Sequence, residues 1–154
     1  MTKSEGIERL ERFRANPWEF QLTFETPLKS LQPFVGTILG AVPPLQAASA
    51  TVDLVVFEPR SLINMLASQS IAQTYERGLC LTAIGQAEIE ELLCVMLSEW
   101  IDFLFLPEPP TVAIYADHDE FATFYAHTRS PLDRITESLL NQNFKVEADY
   151  QRHF

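Results

Sequence analysis

Between Ile89 and Leu104, apolar residues return every third or fourth position: Ile89, Leu92, Leu93, Met96, Leu97, Trp100, Ile101 and Leu104. That spacing lines one side of a 3.6-residue helix. It predicts an amphipathic helix over 86–105, closed by Pro107, Pro109 and Pro110 and buried along its apolar face as the spine of the core. A chain built around such a helix must supply other elements to cover it.

Several of those elements carry the two-residue period of strands instead. Trp18, Phe20, Leu22 and Phe24 alternate with Glu19, Gln21, Thr23 and Glu25, which predicts a half-buried strand. Val52–Phe57 reads as a more deeply buried strand ended by Glu58-Pro59, and Leu79–Thr82 as a short one. Thr111–Ala116 and Phe121–Ala126 flank the polar tetrapeptide Asp117-His118-Asp119-Glu120, the pattern of a hairpin with a four-residue turn. Phe144, Val146, Ala148 and Tyr150 alternate with Lys145, Glu147 and Asp149 as a closing strand.

Helical segments are expected between them. Thr2 and Glu5 have capping-box spacing ahead of Ile7, Leu10 and Phe13, and Asn16-Pro17 stops that helix. A second starts near Thr26-Pro27, kinked or delayed by Pro33, and Leu62, Ile63 and Leu66 mark a third. Ser130 is placed to cap a last helix with Pro131 at its first position. Ala41–Ala50, with Pro43-Pro44, reads as a loop. The expectation is one α+β domain over 1–154, a mostly antiparallel sheet with helices packed against it, ending in a β-β-α-β unit.

Length and composition agree with one core. The chain has 154 residues, 47% of them hydrophobic and 21% charged, a balance of packed rather than disordered chains. Cys80 and Cys94 lie in apolar contexts without a C-x-x-C partner, as buried thiols of a reducing cytoplasm would. Residues 1–15 alternate charges where a signal peptide needs an apolar run, and Phe34–Ala50 is interrupted by two glycines and two prolines. The chain therefore reads as cytoplasmic, with no membrane segment.

Charge is distributed unevenly. Of 21 acidic and 11 basic residues, nine acids and no lysine or arginine lie between Gly78 and Thr128. The remainder of the chain is close to neutral, so nearly the whole net charge of −10 belongs to one third of the sequence. Such a block repels nucleic acid and anionic membrane and attracts a basic protein surface. On the expected helix, Glu88, Glu91, Glu99 and Asp102 fall on one stripe beside the apolar face, with no base at i+4 to relieve them. A solvated face and a recognition surface both fit that stripe. Asp117, Asp119 and Glu120 add to it from the hairpin turn.

The same turn is the one cluster with metal-ligand chemistry, through Asp117, His118 and Asp119 and with Glu120 beside them. Its Asp-x-Asp start lacks the glycine and distal acid of a calcium loop, where Ala122 and Thr128 stand. His118 and His127 flank the turn and would meet if the hairpin paired them. Cys94, inside the acidic helix, is disfavoured as a thiolate nucleophile. No phosphate-binding glycine loop and no G-x-S-x-G elbow occurs, and no cofactor is implied.

These features lead to a non-enzymatic protein-binding module. The expected partner is a basic protein, and the expected setting is the immunity or antitoxin-like inhibition of a nuclease-type toxin. Glu88, Glu91, Glu99, Asp102, Asp117, Asp119 and Glu120 are its expected contact residues. A metal-binding protein or metal-dependent enzyme centred on the turn is the alternative from another class. A nucleic-acid mimic ranks below both, because seven to nine acids cover only a short run of phosphates.

Overall fold

A computed structural model describes residues 1–154. Seven strands form one sheet: β1 (Thr2–Glu5), β2 (Phe20–Glu25), β3 (Ala47–Val55), β4 (Leu79–Ile84), β5 (Ile101–Glu108), β6 (Ala113–Ala116) and β7 (Phe121–Ala126). Their order across it is β1-β4-β3-β5-β6-β7-β2, and every pairing is antiparallel. Five helices are interspersed: α1 (Ile7–Ala15), α2 (Leu31–Ala41), α3 (Arg60–Ser68), α4 (Gln86–Ser98) and α5 (Arg129–Asn141). The α+β reading holds.

Strand alternation gives the sheet two chemically different faces. Phe24, Ala50, Leu81, Phe103, Phe105 and Phe124 are buried on one side, beneath Phe34 of α2, Leu62 of α3, Leu92 of α4 and Ile135 of α5. Thr23, Thr51, Asp53, Leu104, Tyr115, Thr123 and Tyr125 are buried on the other, where Leu10 and Phe13 of α1 and the ring of Phe154 cover the aromatic part. One face is a hydrocarbon core; the other mixes hydroxyls, aromatic rings and charge.

The expected helix over 86–105 is two elements. α4 stops at Ser98, Glu99 is extended at φ −110°, and β5 begins at Ile101. The i, i+3, i+4 reading failed because Ile101-Asp102-Phe103-Leu104-Phe105-Leu106 also satisfies a two-residue period. Ile101, Phe103 and Phe105 face the helices while Leu104 and Leu106 face α1. A strand covered on both sides is apolar at nearly every position, and periodicity alone does not separate it from a helix. The acidic stripe is lost with the helix: Glu99 lies beyond its end and Asp102 is in a strand.

Three boundaries move for identifiable reasons. Residues 2–5 are an exposed edge strand rather than a first turn, because Gly6 sits where backbone must pass close to β3 and β4. A Cβ on Gly6 would lie 2.6 Å from Thr51 Cγ2 and 2.8 Å from Cys80 Cβ. β3 starts at Ala47, inside the expected loop, since Ala48 and Ala50 provide the small surface on which the helices pack; it also ends before Phe57, which is 62% exposed. α5 begins at Arg129 with Thr128 as its N-cap, two residues before the expected start.

Pro33 falls in the first turn of α2, where its missing N–H breaks no helical bond, and a 3-10 turn over Leu28–Ser30 precedes it. The closing strand is realised as one bridge, Phe24 to Val146, flanked by hydrogen bonds from Glu25 N–H to Lys145 O and from Glu147 N–H to Thr23 O. It covers the outer edge of β2, while Lys3 and Glu5 keep the outer edge of β1 charged.

Two glycines give a test of this packing. Gly6→Ala should cost about 1–3 kcal/mol by overpacking against Thr51 and Cys80. Gly36→Ala, in α2 with nothing within 4 Å, should gain about 0.5–1 kcal/mol. Urea unfolding midpoints at constant m-value measure both.

Candidate functional site

The turn between β6 and β7 organises the acidic end of the sheet. Asp117 Oδ1 accepts the N–H groups of Asp119 (3.0 Å) and Phe121 (3.1 Å), which folds the turn back on itself. Its other oxygen accepts from the Tyr150 hydroxyl at 2.9 Å and from the Arg152 guanidinium. Asp117 is therefore buried and neutralised by the tail that follows α5. Glu120 completes the turn at φ +66°, a conformation uncommon for a residue with a side chain.

His118 turns toward β5. Its backbone N–H and its Nδ1 both lie against Asp102 Oδ1, at 2.8 and 2.7 Å, and Nδ1 is the donor when protonated. The Asp102 hydrogen bond raises the His118 pKa against the opposing effect of partial burial, and the charges of Asp102, Asp119 and Asp117 raise it further. His127 is not nearby. It stacks on Trp18 with ring centroids 4.4 Å apart, beyond the other end of β7.

A second charged cluster was not singled out by the sequence. The register of β3 against β5 shifts between Val52 and Leu54, and the extra residue is Asp53. Its carboxylate accepts from Arg77 (3.0 Å), from Arg14 and from the Tyr115 hydroxyl (2.7 Å). Burial pushes the Asp53 carboxyl up, but these partners together outweigh it and hold it below the usual range. Burial and Asp53 keep Tyr115 protonated well above the ordinary phenol pKa. The Arg152 guanidinium lies 4.8 Å over the Tyr115 ring, joining the two clusters. An acid inside the otherwise apolar run Val52–Phe57 is the signal that marks Asp53 in the sequence.

The seven expected contact acids separate into two groups. Four bond within the fold: Asp102 to His118, Asp117 to Tyr150 and Arg152, Glu88 to the Met1 ammonium (3.0 Å) and the Ile84 N–H (3.1 Å), and Glu99 to the Ser61 N–H (2.5 Å) at the start of α3. The remote Glu99 thus serves as the acidic cap of α3. Glu91, Asp119 and Glu120 remain exposed. The stripe contained no i+4 base, but the tertiary structure brings other groups to it, an ammonium, an imidazole and a helix N-terminus, and brings a guanidinium to Asp117 of the turn.

No three His, Cys, Asp or Glu side chains are grouped to hold a metal ion. Asp117 points inward, His118 bonds Asp102, and His118 Nε2 is 3.9 Å from Asp119 Oδ1. Both cysteines are free thiols; burial first, and Glu90 second, push the Cys94 thiol up. No helix is long and apolar enough to cross a membrane.

Beside the turn lies an apolar patch. Leu54 pairs opposite Asp102, and the Val56 N–H donates to the Trp100 carbonyl at 3.1 Å, so Leu54, Val56 and Trp100 emerge together where β3 ends and β5 begins. Phe57 packs edge-on against Trp100 at 5.9 Å. All four are more than 40% exposed. Trp100 also borders a narrow cleft between the end of α4 and the turn, with Thr26, Leu28, Glu99, His118 and Glu120. No family model, curated protein or solved structure matches this chain.

Two measurements check the charged groups. The His118 ring should titrate above 6.5 by NMR, and Asp102→Asn should lower that midpoint. Since the folded pKa is the raised one, the stabilisation is complete below the unfolded histidine's pKa and lost as pH rises through the folded value. Asp117→Ala should destabilise by about 3 kcal/mol, because it leaves the largely buried Arg152 without its carboxylate.

Proposed function

We propose that this chain is a non-enzymatic binding module for a basic protein, with its contact surface centred on Trp100 and Phe57. The observation that carries the proposal is the exposed aromatic pair standing with Leu54 and Val56 beside the acidic turn. Interfaces draw most of their energy from a few aromatic anchors, and surrounding charge sets encounter rate and selectivity. Here the exposed Asp119 and Glu120 supply that charge, with the outer oxygen of Glu99 beside them, and no lysine or arginine lines the adjoining cleft. Asp102 and Asp117 support the surface from beneath: one holds His118 in place, the other holds the turn closed.

The biological setting we attach to this surface is inhibition of a basic nuclease-type toxin in the cytoplasm, in the manner of an immunity or antitoxin protein. A small acidic α+β domain with an aromatic anchor and no grouped catalytic chemistry suits that role. Nucleic-acid mimicry gains less support, because a mimic needs a long row of free acids and four of the seven are bonded internally.

The test identifies the genes flanking this chain's own and measures, by calorimetry and stopped-flow mixing over a salt series, its binding to the most basic of their products. Trp100→Ala and Phe57→Ala should each weaken binding by about 2 kcal/mol or more. Asp119→Lys should slow association and flatten its salt dependence. Affinity indifferent to all three substitutions and to salt would remove the surface assignment.

A further inference from the structure

β1 stands at one edge of the sheet with only β4 beside it. Its register pairs Thr2 with Thr82 and Ser4 with Cys80, and the Gly6 N–H that follows donates to the Gly78 carbonyl at 2.8 Å. In an antiparallel pair, residues that exchange backbone hydrogen bonds alternate with residues that do not. Thr2 and Ser4 therefore turn their backbone groups toward β4. Lys3 and Glu5 turn theirs outward, where no further strand pairs with them. The two side chains share one face of the strand, and both residues are exposed. Lys3 reaches the Thr74 hydroxyl, while Glu5 has no ion-pair partner in the chain. After Gly6 the chain turns inward, because α1 packs over β3 with Leu10 and Phe13 against Leu104, and this edge stays open.

We propose that this edge pairs with the same edge of a second copy of the chain, antiparallel, about a two-fold axis at Ser4. In that register Lys3 stands opposite the partner's Glu5, and Glu5 opposite the partner's Lys3. Each such pair exchanges two backbone hydrogen bonds, since Lys3 and Glu5 are the residues whose backbone groups face outward. Each also sets an ammonium beside a carboxylate, which favours the pairing. The ammonium has three donors, so Lys3 holds Thr74 and the partner's Glu5 together. Ser4 meets the partner's Ser4 on the axis, where Cα atoms come within about 4.5 Å and a small side chain fits.

Other registers are worse. A slip of two residues either way sets lysine against lysine or glutamate against glutamate. A slip of one sets Lys3 against Ser4, whose backbone groups already serve β4. The contact is isologous and uses each edge once, so assembly closes at a dimer in which two seven-stranded sheets run into one. The net charge of −10 on each copy opposes it. A weak dimer results, with a dissociation constant on the order of 100 µM at about 0.15 M salt.

The experiment is sedimentation equilibrium of the full chain between about 10 µM and about 1 mM, which brackets that constant. Lys3→Glu and Glu5→Lys should each weaken the dimer roughly tenfold, because each sets like charges face to face. Glu5→Lys also lowers the net negative charge, which by general repulsion alone would strengthen association. A one-to-one mixture of the two variants should recover the dimer, since opposite charges again meet across the axis. That recovery also shows that both variants are folded. In a Cys94→Ser background, where the remaining Cys80 is buried, Ser4→Cys should oxidise to a covalent dimer. Thr2→Cys should do so at least tenfold more slowly, because its copies lie beyond disulfide reach across the axis. A chain that stays monomeric at the highest concentration, a dimer indifferent to both charge reversals, or equal oxidation of Ser4→Cys and Thr2→Cys would each overturn the proposal. It uses no residue of the Trp100 and Phe57 surface, so either reading can fail while the other stands.

Discussion

A strand at the middle of a sheet covered on both sides has no wet face, and β5 is such a strand. Ile101, Phe103 and Phe105 are buried beneath the helices, Leu104 beneath α1, and both neighbouring strands take their register from it. Burying a large apolar side chain is worth about 1.5–3 kcal/mol, so β5 outweighs the weaker preference of its sequence to continue α4. The reversal at Ser98–Ile101 follows. It places Glu99 at the start of α3 and carries Trp100 out to the surface beside Phe57. The candidate surface is a consequence of how β5 enters the sheet.

The opposite face of the sheet is held differently. α1 and the tail after α5 cover it with few large aliphatic contacts, and charge completes the closure. Asp53 ties Arg14 of α1 to Arg77, Asp117 ties the hairpin turn to Tyr150 and Arg152, and Phe154 closes the aromatic cluster of Phe13, Tyr115 and Tyr125. Buried ion pairs of this kind contribute little net stability over apolar packing, but they are costly to leave half-formed. They fix where α1 and the tail sit. Each such acid takes up at least one base, so the net charge of −10 is unchanged and only the number of free acids falls.

Elements with an unambiguous period were legible. The hairpin β6–β7 with its four-residue turn, the strand ending at Glu25 and the helix around Leu62–Leu66 lie where alternation and helical spacing put them. β2 and β6 nevertheless start two residues later than expected, at Phe20 and Ala113 rather than Trp18 and Thr111. Segments with two admissible periods or none were not. Ile101–Leu106 satisfied both helix and strand patterns, and Ala47–Ala50 looked like loop because alanine and serine are weak strand formers. The capping-box spacing of Thr2 and Glu5 was overridden by pairing with β4 and by the close approach at Gly6. Within the site, His118 and the turn acids were visible as a cluster and Asp53 stood out as an acid in an apolar run, whereas the Phe57–Trp100 pair was not legible, since nothing local distinguishes it.

By itself the sequence determined an α+β chain with one core, a polar hairpin turn and an excess of acid in one third of its length. These follow from side-chain period, turn chemistry and composition, which are local or additive quantities. Tertiary structure decided where α4 ends, which acids are free and which apolar residues are left at the surface. Those outcomes depend on contacts between residues far apart in the chain, Glu99 with Ser61, Asp117 with Arg152 and Phe57 with Trp100. An acid's charge is written in the sequence, but the partner that neutralises it is chosen by the fold.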